Sequence, residues 1–107
     1  MIIAVDFDGT LAVTKFPEII SPKENVIRFC KESKERGDIL ILWTCRTGES
    51  LDAAVEWCKT QGLIFDYVNE NPPDRVALWG DPRKVYADVY IDDRSREVYD
   101  GRLIKMI

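Results

Sequence analysis

The sequence predicts an α/β protein, a three-layer α/β/α arrangement around a mainly parallel sheet, in one domain spanning residues 1–107. Three observations predict it. Short, unbroken apolar runs recur at residues 2–5, 39–43 and 89–91, as they do in strands buried on both faces. Between them lie segments whose apolar residues repeat at the one-face spacing of a helix, and strands alternating with helices imply parallel pairing through right-handed crossovers. Each run also ends on a polar residue, at the sheet edge where such folds bind ligands.

Ile2, Ile3, Ala4 and Val5 form the first strand, which ends at Asp6. Ser21, Pro22 and Glu24 read as the start of the first helix, with Ser as N-cap, Pro at the first helical position and Glu completing a capping box. Val26, Phe29, Cys30 and Ser33 mark its inner face, and Gly37 stops it. Residues 39–43 make a second strand, ending at Thr44. Leu51, Ala54, Val55 and Cys58 share one face of a second helix, closed by Gly62. Residues 64–68 make a third short strand. Residues 69–86 are polar and contain Pro72, Pro73, Gly80 and Pro82, which predicts a loop holding one helical turn. Val89, Tyr90 and Ile91 form the fourth strand, ending at Asp92 and Asp93. From Ser95 the tail reads two ways: Asp100-Gly101 favours a hairpin turn, whereas Val98, Leu103 and Met106 suit a terminal helix.

With 107 residues, 46% hydrophobic and 32% charged, the chain has the composition of a globular domain and the length to bury a core. An insertion domain of at least ~50 residues would consume half of it, so no large cap fits. The absence of histidine excludes Ser-His-Asp catalysis, His phosphotransfer and His-rich zinc sites. Cys30, Cys45 and Cys58 are odd in number and form no C-x-x-C pair, which predicts neither a zinc ribbon nor a disulfide framework and fits a reducing, cytoplasmic setting. No apolar run approaches the ~18 residues of a membrane span, so no membrane partner is expected. The net charge of −4 is dispersed and includes no basic tract, which argues against broad nucleic-acid binding and leaves a local contact open.

Asp6 and Asp8 follow the first strand, Thr44 the second, and Asp92 and Asp93 the fourth, so the predicted sheet gathers them beyond its carboxyl edge. One acid at a strand end is explained by a cap or turn; several separate strand ends call for a common cause. Asp6 and Asp8 share a face if the strand persists, and a turn at Gly9 lets them aim apart. Four carboxylates in one crevice would force some to protonate unless a cation sits among them, and hard oxygen ligands make Mg²⁺ the natural ion. Carboxylates around a divalent cation, with a hydroxyl (Thr44) and a cation (Lys84) nearby, suit phosphoryl transfer, in which an Asp carboxylate can itself attack phosphorus.

Asp6-Phe7-Asp8-Gly9-Thr10 after a hydrophobic strand, Thr44 after a second, Lys84, and Asp92-Asp93 after another stand in order across residues 2–93. The set resembles the four motifs of the haloacid dehalogenase superfamily. The resemblance implies a Rossmann-like fold without a large cap and a Mg²⁺-dependent phosphatase that hydrolyses a phosphomonoester through an aspartyl-phosphate. By that resemblance Asp6 is the nucleophile, and Asp8 protonates the leaving oxygen and later activates water, its backbone carbonyl also facing Mg²⁺. Thr44 and Lys84 hold phosphoryl oxygens, Asp92 ligates Mg²⁺, and Asp93 supports the ion's waters or Lys84. Dehalogenating members lack an acid at the second position, so Asp8 points to phosphate esters. Lys84 stands only eight positions before Asp92, and Arg83 beside it competes for the role. Capless members often take macromolecular substrates or use a partner subunit as cover, which implies a large phosphorylated substrate or a homo-oligomer. Thr44-Cys45-Arg46-Thr47-Gly48-Glu49-Ser50 and Ile91-Asp92-Asp93-Arg94 are similar to the phosphatase part of polynucleotide kinase-phosphatases. That similarity implies a polynucleotide or nucleotide 3′-phosphatase in which Arg46 contacts the substrate.

Plainer readings stand beside these. Asp6 and Asp8-Gly9 are turn formers, Thr44 can end a strand structurally, Lys84 alone reads as a solvated lysine, and Asp93 can pair with Arg94 or Arg96. Cys30 and Arg36 have the spacing of a cysteine-phosphatase loop, but Lys31-Glu32-Ser33-Lys34-Glu35 between them favours helix and lacks glycine, so Cys30 reads as core. Trp43, Trp57 and Trp79 read as packing groups. The main rival function is a non-catalytic metal- or phosphate-binding regulatory module. A phosphomutase would need a cap to exclude water. A response-regulator receiver places its phosphorylated Asp after a middle strand, outside any Asp-x-Asp pair.

Overall fold

The first apolar run becomes β1 (Ile2–Val5), buried along its whole length inside a parallel sheet in this computed structural model, which describes residues 1–93 and the strands at 97–99 and 103–105. The chain continues through β2 (Ala12–Lys15), β3 (Glu18–Pro22), α1 (Glu24–Glu35), β4 (Ile39–Leu42), α2 (Gly48–Thr60), β5 (Tyr67–Val68), α3 (Pro73–Trp79) and β6 (Val89–Ile91). β1 pairs in parallel with β4 on one side and β6 on the other, so that Ile3 stands opposite both Leu40 and Val89. β5 adds to the far side of β4, giving the order β5-β4-β1-β6.

Crossover handedness sets the layers. The chain passes from β1 to β4 and from β4 to β5 in one direction, so right-handed connections put α1 and α2 on the same face; the return from β5 to β6 runs the other way and takes the opposite face. Side chains agree. Ile3, Val5, Leu40 and Leu42 meet Val26, Phe29 and Cys30 of α1 and Ala54 and Cys58 of α2 in the larger core. Ile2, Ala4 and Ile41 face the other way and pack with Val85 and the half-buried Trp43, Tyr86 and Tyr90. The result is the expected three-layer, Rossmann-like α/β/α fold with a mainly parallel sheet. Between β1 and α1 the only insertion is the β2–β3 hairpin.

Several local expectations change. Ser21 and Pro22 do not cap α1: they end β3, paired with Val13 and Ala12, and the helix begins at Glu24 behind Lys23, which makes no side-chain cap. Strand pairing claims those residues first, and the Lys23 N–H donating to the Leu11 carbonyl at 2.9 Å keeps the chain tied down up to the helix. The third strand is shorter than residues 64–68, because Ile64 is exposed and the ladder with β4 starts only at Tyr67. α3 runs for seven residues where one turn was expected, and none of them is buried. Trp57 packs edge-on against Phe7 and Trp43 against Tyr90, but Trp79 is 58% exposed and lies over Tyr86 instead of entering a core. In the tail, β7 (Glu97–Tyr99) and β8 (Leu103–Lys105) pair antiparallel, so the strand reading holds over the helical one; Asp100-Gly101, Met106, Arg94 and Arg96 lie outside the described residues.

Candidate active site

Strand order reverses between β1 and β6, because the chain builds outward from β1 through β4 and β5 before returning to the other side. The crevice beyond the carboxyl ends of those two strands is where a fold of this kind leaves backbone groups and space for a ligand. Asp6 leaves β1 there, its N–H donating to the Ile91 carbonyl at 2.9 Å. The chain then turns tightly. The Phe7 carbonyl accepts the N–H groups of Thr10 and Leu11 at 3.1 and 3.0 Å, and the fully buried Phe7 ring pins the turn to the core.

Gly9 makes this turn possible on two counts. It adopts φ +80, and a Cβ there would sit 2.6 Å from Oδ2 of Asp93. The first loop therefore closes directly onto the acid that follows β6. Carboxylate oxygens of Asp6, Asp92 and Asp93 all come within 4.8 Å of one another. Burial pushes the Asp6 carboxyl up to about 6, with the charges of Asp92, Asp93 and Asp8 adding to the rise and the Phe7 N–H opposing it.

Asp8 lives in different surroundings. Arg46 holds it with both arms of a fork, Nε donating to Oδ2 at 2.9 Å and Nη2 to Oδ1 at 2.8 Å, while the Thr14 hydroxyl donates to Oδ1 at 2.8 Å. These hydrogen bonds, the Arg46 fork first among them, hold the Asp8 carboxyl below the usual carboxylate range. Two carboxylates two residues apart are thus pushed in opposite directions, Asp6 toward its protonated form and Asp8 toward its ionised form.

Thr44 follows β4, its N–H donating to the Asn69 side-chain oxygen at 2.8 Å and its hydroxyl accepting the Arg46 N–H at 3.1 Å. Trp43, Thr44 and Cys45 line a cavity of about 250 Å³ together with Asp6 and Asp92. On the other side of the turn, Asp8, Gly9, Thr14, Lys23 and Asp93 line a more open hollow of about 530 Å³. Lys84 is exposed, its Nζ 4.9 Å from the centroid of Tyr90, whose ring packs on the cavity-lining Trp43. It is therefore one aromatic pair away from the cavity and not among the residues that line it. Arg83 is likewise exposed. Hollows elsewhere, beside Lys31 and Leu63 and between α2 and Val68, lack this convergence of carboxylates.

The structure thus brings Asp6, Asp92, Asp93 and Thr44 to one crevice and places Asp8 at its rim. It directs Arg46 at Asp8, with no open face left for a ligand. It also adds residues that the sequence reading left without a role: Thr10, fully buried with its hydroxyl 3.4 Å from Asp6; Thr14; Asn69; and Phe16 on the hairpin. Val13, Thr14, Ile19 and Ile20 around Phe16-Pro17 carried the strand-turn-strand signal for that hairpin.

No family model matches the chain, and no curated protein matches it. Among solved structures, the chain is similar to that of a conserved protein from Bacteroides thetaiotaomicron, with 41% identity and a TM-score of 0.78. The match covers 89% of this chain and 77% of that one. With identity and coverage at that level, the chain belongs to the same family as this conserved Bacteroides protein.

Proposed function

We propose that the protein is a Mg²⁺-dependent phosphatase that hydrolyses a phosphomonoester through an aspartyl-phosphate on Asp6. The observation that carries this reading is the meeting of Asp6, Asp92 and Asp93 within 4.8 Å at the switch point of the sheet, beside a second carboxylate held apart on Arg46. Three carboxylates so close repel one another, and their hard oxygens in an open crevice fit a small divalent cation. Asp6, Asp92 and Asp93 would hold it, and when bound it supplies positive charge that eases the approach of a carboxylate to a phosphate.

The chain's own residues supply the rest. An Asp6 oxygen attacks phosphorus, the new P–O bond forms as the ester P–O bond breaks, and the leaving oxygen takes a proton from the Asp8 carboxyl. Water then attacks the same phosphorus, Asp8 takes its proton, and the bond to Asp6 breaks to release inorganic phosphate. The Arg46 fork favours the ionised Asp8 that this second step needs; the first step requires that Asp8 be protonated when the ester is in place. The Thr44 hydroxyl lines the cavity with Asp6 and is the expected donor to a phosphoryl oxygen, with Lys84 the expected cation beyond it.

Phosphate release from an aryl phosphate, a panel of nucleotides and 3′-phosphorylated oligonucleotides, in Mg²⁺ or EDTA, tests the reading. Mg²⁺-dependent turnover that falls by about 10³-fold or more in Asp6→Asn is expected. A preference for the oligonucleotides would narrow the activity to a 3′-phosphatase. Silence on every substrate, with Mg²⁺ still raising the melting temperature, would overturn catalysis in favour of a regulatory binding module.

A further inference from the structure

Arg46 is a charged side chain only 2% exposed, and three of its five guanidinium N–H groups have partners. Nε and Nη2 engage the two oxygens of Asp8, and Nη1 donates to the Ser50 carbonyl at 3.1 Å. The guanidinium carbon also lies over two rings, 4.9 Å from the centroid of Phe7 and 5.1 Å from that of Phe16. With three of the five N–H groups engaged, the residue 2% exposed and rings against it, an incoming anion has almost no route to the remaining two. Burying the cation of an ion pair, as here, where the Asp8 side chain stays 32% exposed, is also a poor way to gain stability, since apolar groups of the same volume commonly serve as well.

What the arrangement does supply is orientation. A planar fork that meets both oxygens of a carboxylate fixes the plane of that carboxylate, which an ammonium cannot do. The Thr14 hydroxyl, from β2, adds a third hydrogen bond to the same group. Through its backbone N–H, Arg46 also occupies a lone pair of the Thr44 hydroxyl, which leaves that hydroxyl's own proton to point elsewhere. One residue therefore sets two groups that border the crevice from different strands.

We propose that Arg46 is a positioning residue: it fixes the plane of the Asp8 carboxyl group, from which Asp8, when protonated, gives its proton to the leaving oxygen, and Phe16 on the β2–β3 hairpin keeps the fork in plane. The inference rests on the phosphatase reading above and deepens it. It separates Arg46 from substrate binding and makes it act through Asp8.

Leaving-group dependence provides the test. An alkyl phosphate needs a proton on its departing oxygen, whereas 4-nitrophenyl phosphate departs without one. kcat/KM is measured for both in wild type, Asp6→Asn, Arg46→Lys and Phe16→Ala, on protein checked for native circular dichroism. For Arg46→Lys the expected result is a loss of about tenfold or more on the alkyl ester and less than about threefold on the aryl ester, with KM unchanged. Phe16 is 66% exposed, so Phe16→Ala provides a folded variant in which the same asymmetry is expected at smaller size. Equal losses on both esters, or a rise in KM, would overturn the proposal and return Arg46 to a structural or substrate-binding role. Wild-type silence, or turnover that survives Asp6→Asn, would instead bring down the phosphatase reading and this inference with it.

Discussion

Replacing Asp6 with Asn should stabilise the fold while removing the proposed nucleophile. The Asp6 carboxyl is raised from 3.8 to about 6 in the folded chain. Below pH about 4 it is protonated in both states and costs nothing; between about 4 and 6 the unfolded chain sheds the proton and the folded one retains it. Above about 6 the folded state bears the full cost of the ionised group, so this residue's contribution to stability falls as pH rises through that window. A carboxyl raised from 3.8 to about 6 corresponds to roughly 3 kcal/mol, and because Asp6 borders an open crevice and is screened by solvent, about 1–2 kcal/mol is the realistic size. In a chain of this length that is a rise of roughly 5–10 °C in melting temperature for Asp6→Asn near pH 7.5 in EDTA. Melting curves of both proteins from pH 4 to 8 measure it. The gap between them should be near zero at pH 4, open through pH 5–6 and level off above 7, and saturating Mg²⁺ should narrow it by stabilising the wild type more than the variant. A gap that does not change with pH, or a wild type more stable than Asp6→Asn throughout, would refute the account of a carboxylate strained by burial and by its acidic neighbours.

Other perturbations follow from the same geometry. Gly9→Ala places a methyl group 2.6 Å from Asp93 in a backbone with φ +80, so it should cost about 2–3 kcal/mol and weaken the Mg²⁺-induced melting shift; an unaltered melting temperature would contradict the close approach. Native thiol titration should find one fast cysteine, the exposed Cys45, and three after denaturation, since burial pushes the Cys30 and Cys58 thiols up to about 12. Alkylating Cys45 should block turnover by filling the cavity it shares with Asp6, Thr44 and Asp92. Asn69→Gly tolerates the φ of +53 but loses the hydrogen bond to the Thr44 N–H, and should cost about 1 kcal/mol in denaturant unfolding, with a larger drop in kcat than in stability.

How far the sequence reveals the fold depends on how local each signal is. The buried strands announce themselves as unbroken apolar runs, and the helix faces at Val26, Phe29, Cys30 and Ser33 and at Ala54 and Cys58 follow from spacing alone. The start of α1 misleads because Ser21 and Pro22 satisfy two local rules at once, a capping box and a strand end, and only pairing with Ala12 and Val13 decides between them. Acids after separate strands are legible because parallel topology gathers all carboxyl ends on one edge. The direction of a long side chain is not: Arg46 meets Asp8 across 38 positions, and nothing near residue 46 states which way its guanidinium turns. Lys84 shows the same limit, as its place in the motif order says nothing of the Tyr90 ring beneath it.

The position of β1 has a consequence for how the chain assembles. It is a central strand whose two neighbours come from residues 39–42 and 89–91, and its far side is tied by the Ile2 N–H donating to the Asp88 carboxylate across 86 positions. Closing so long a loop costs chain entropy before any contact repays it, so the β1–β6 pairing belongs to the late, slow part of folding. Until then β1 presents an apolar, unpaired edge. A nascent chain shorter than about ninety residues therefore holds Asp6 without Asp92 and Asp93, and the three carboxylates meet only when β6 docks beside β1.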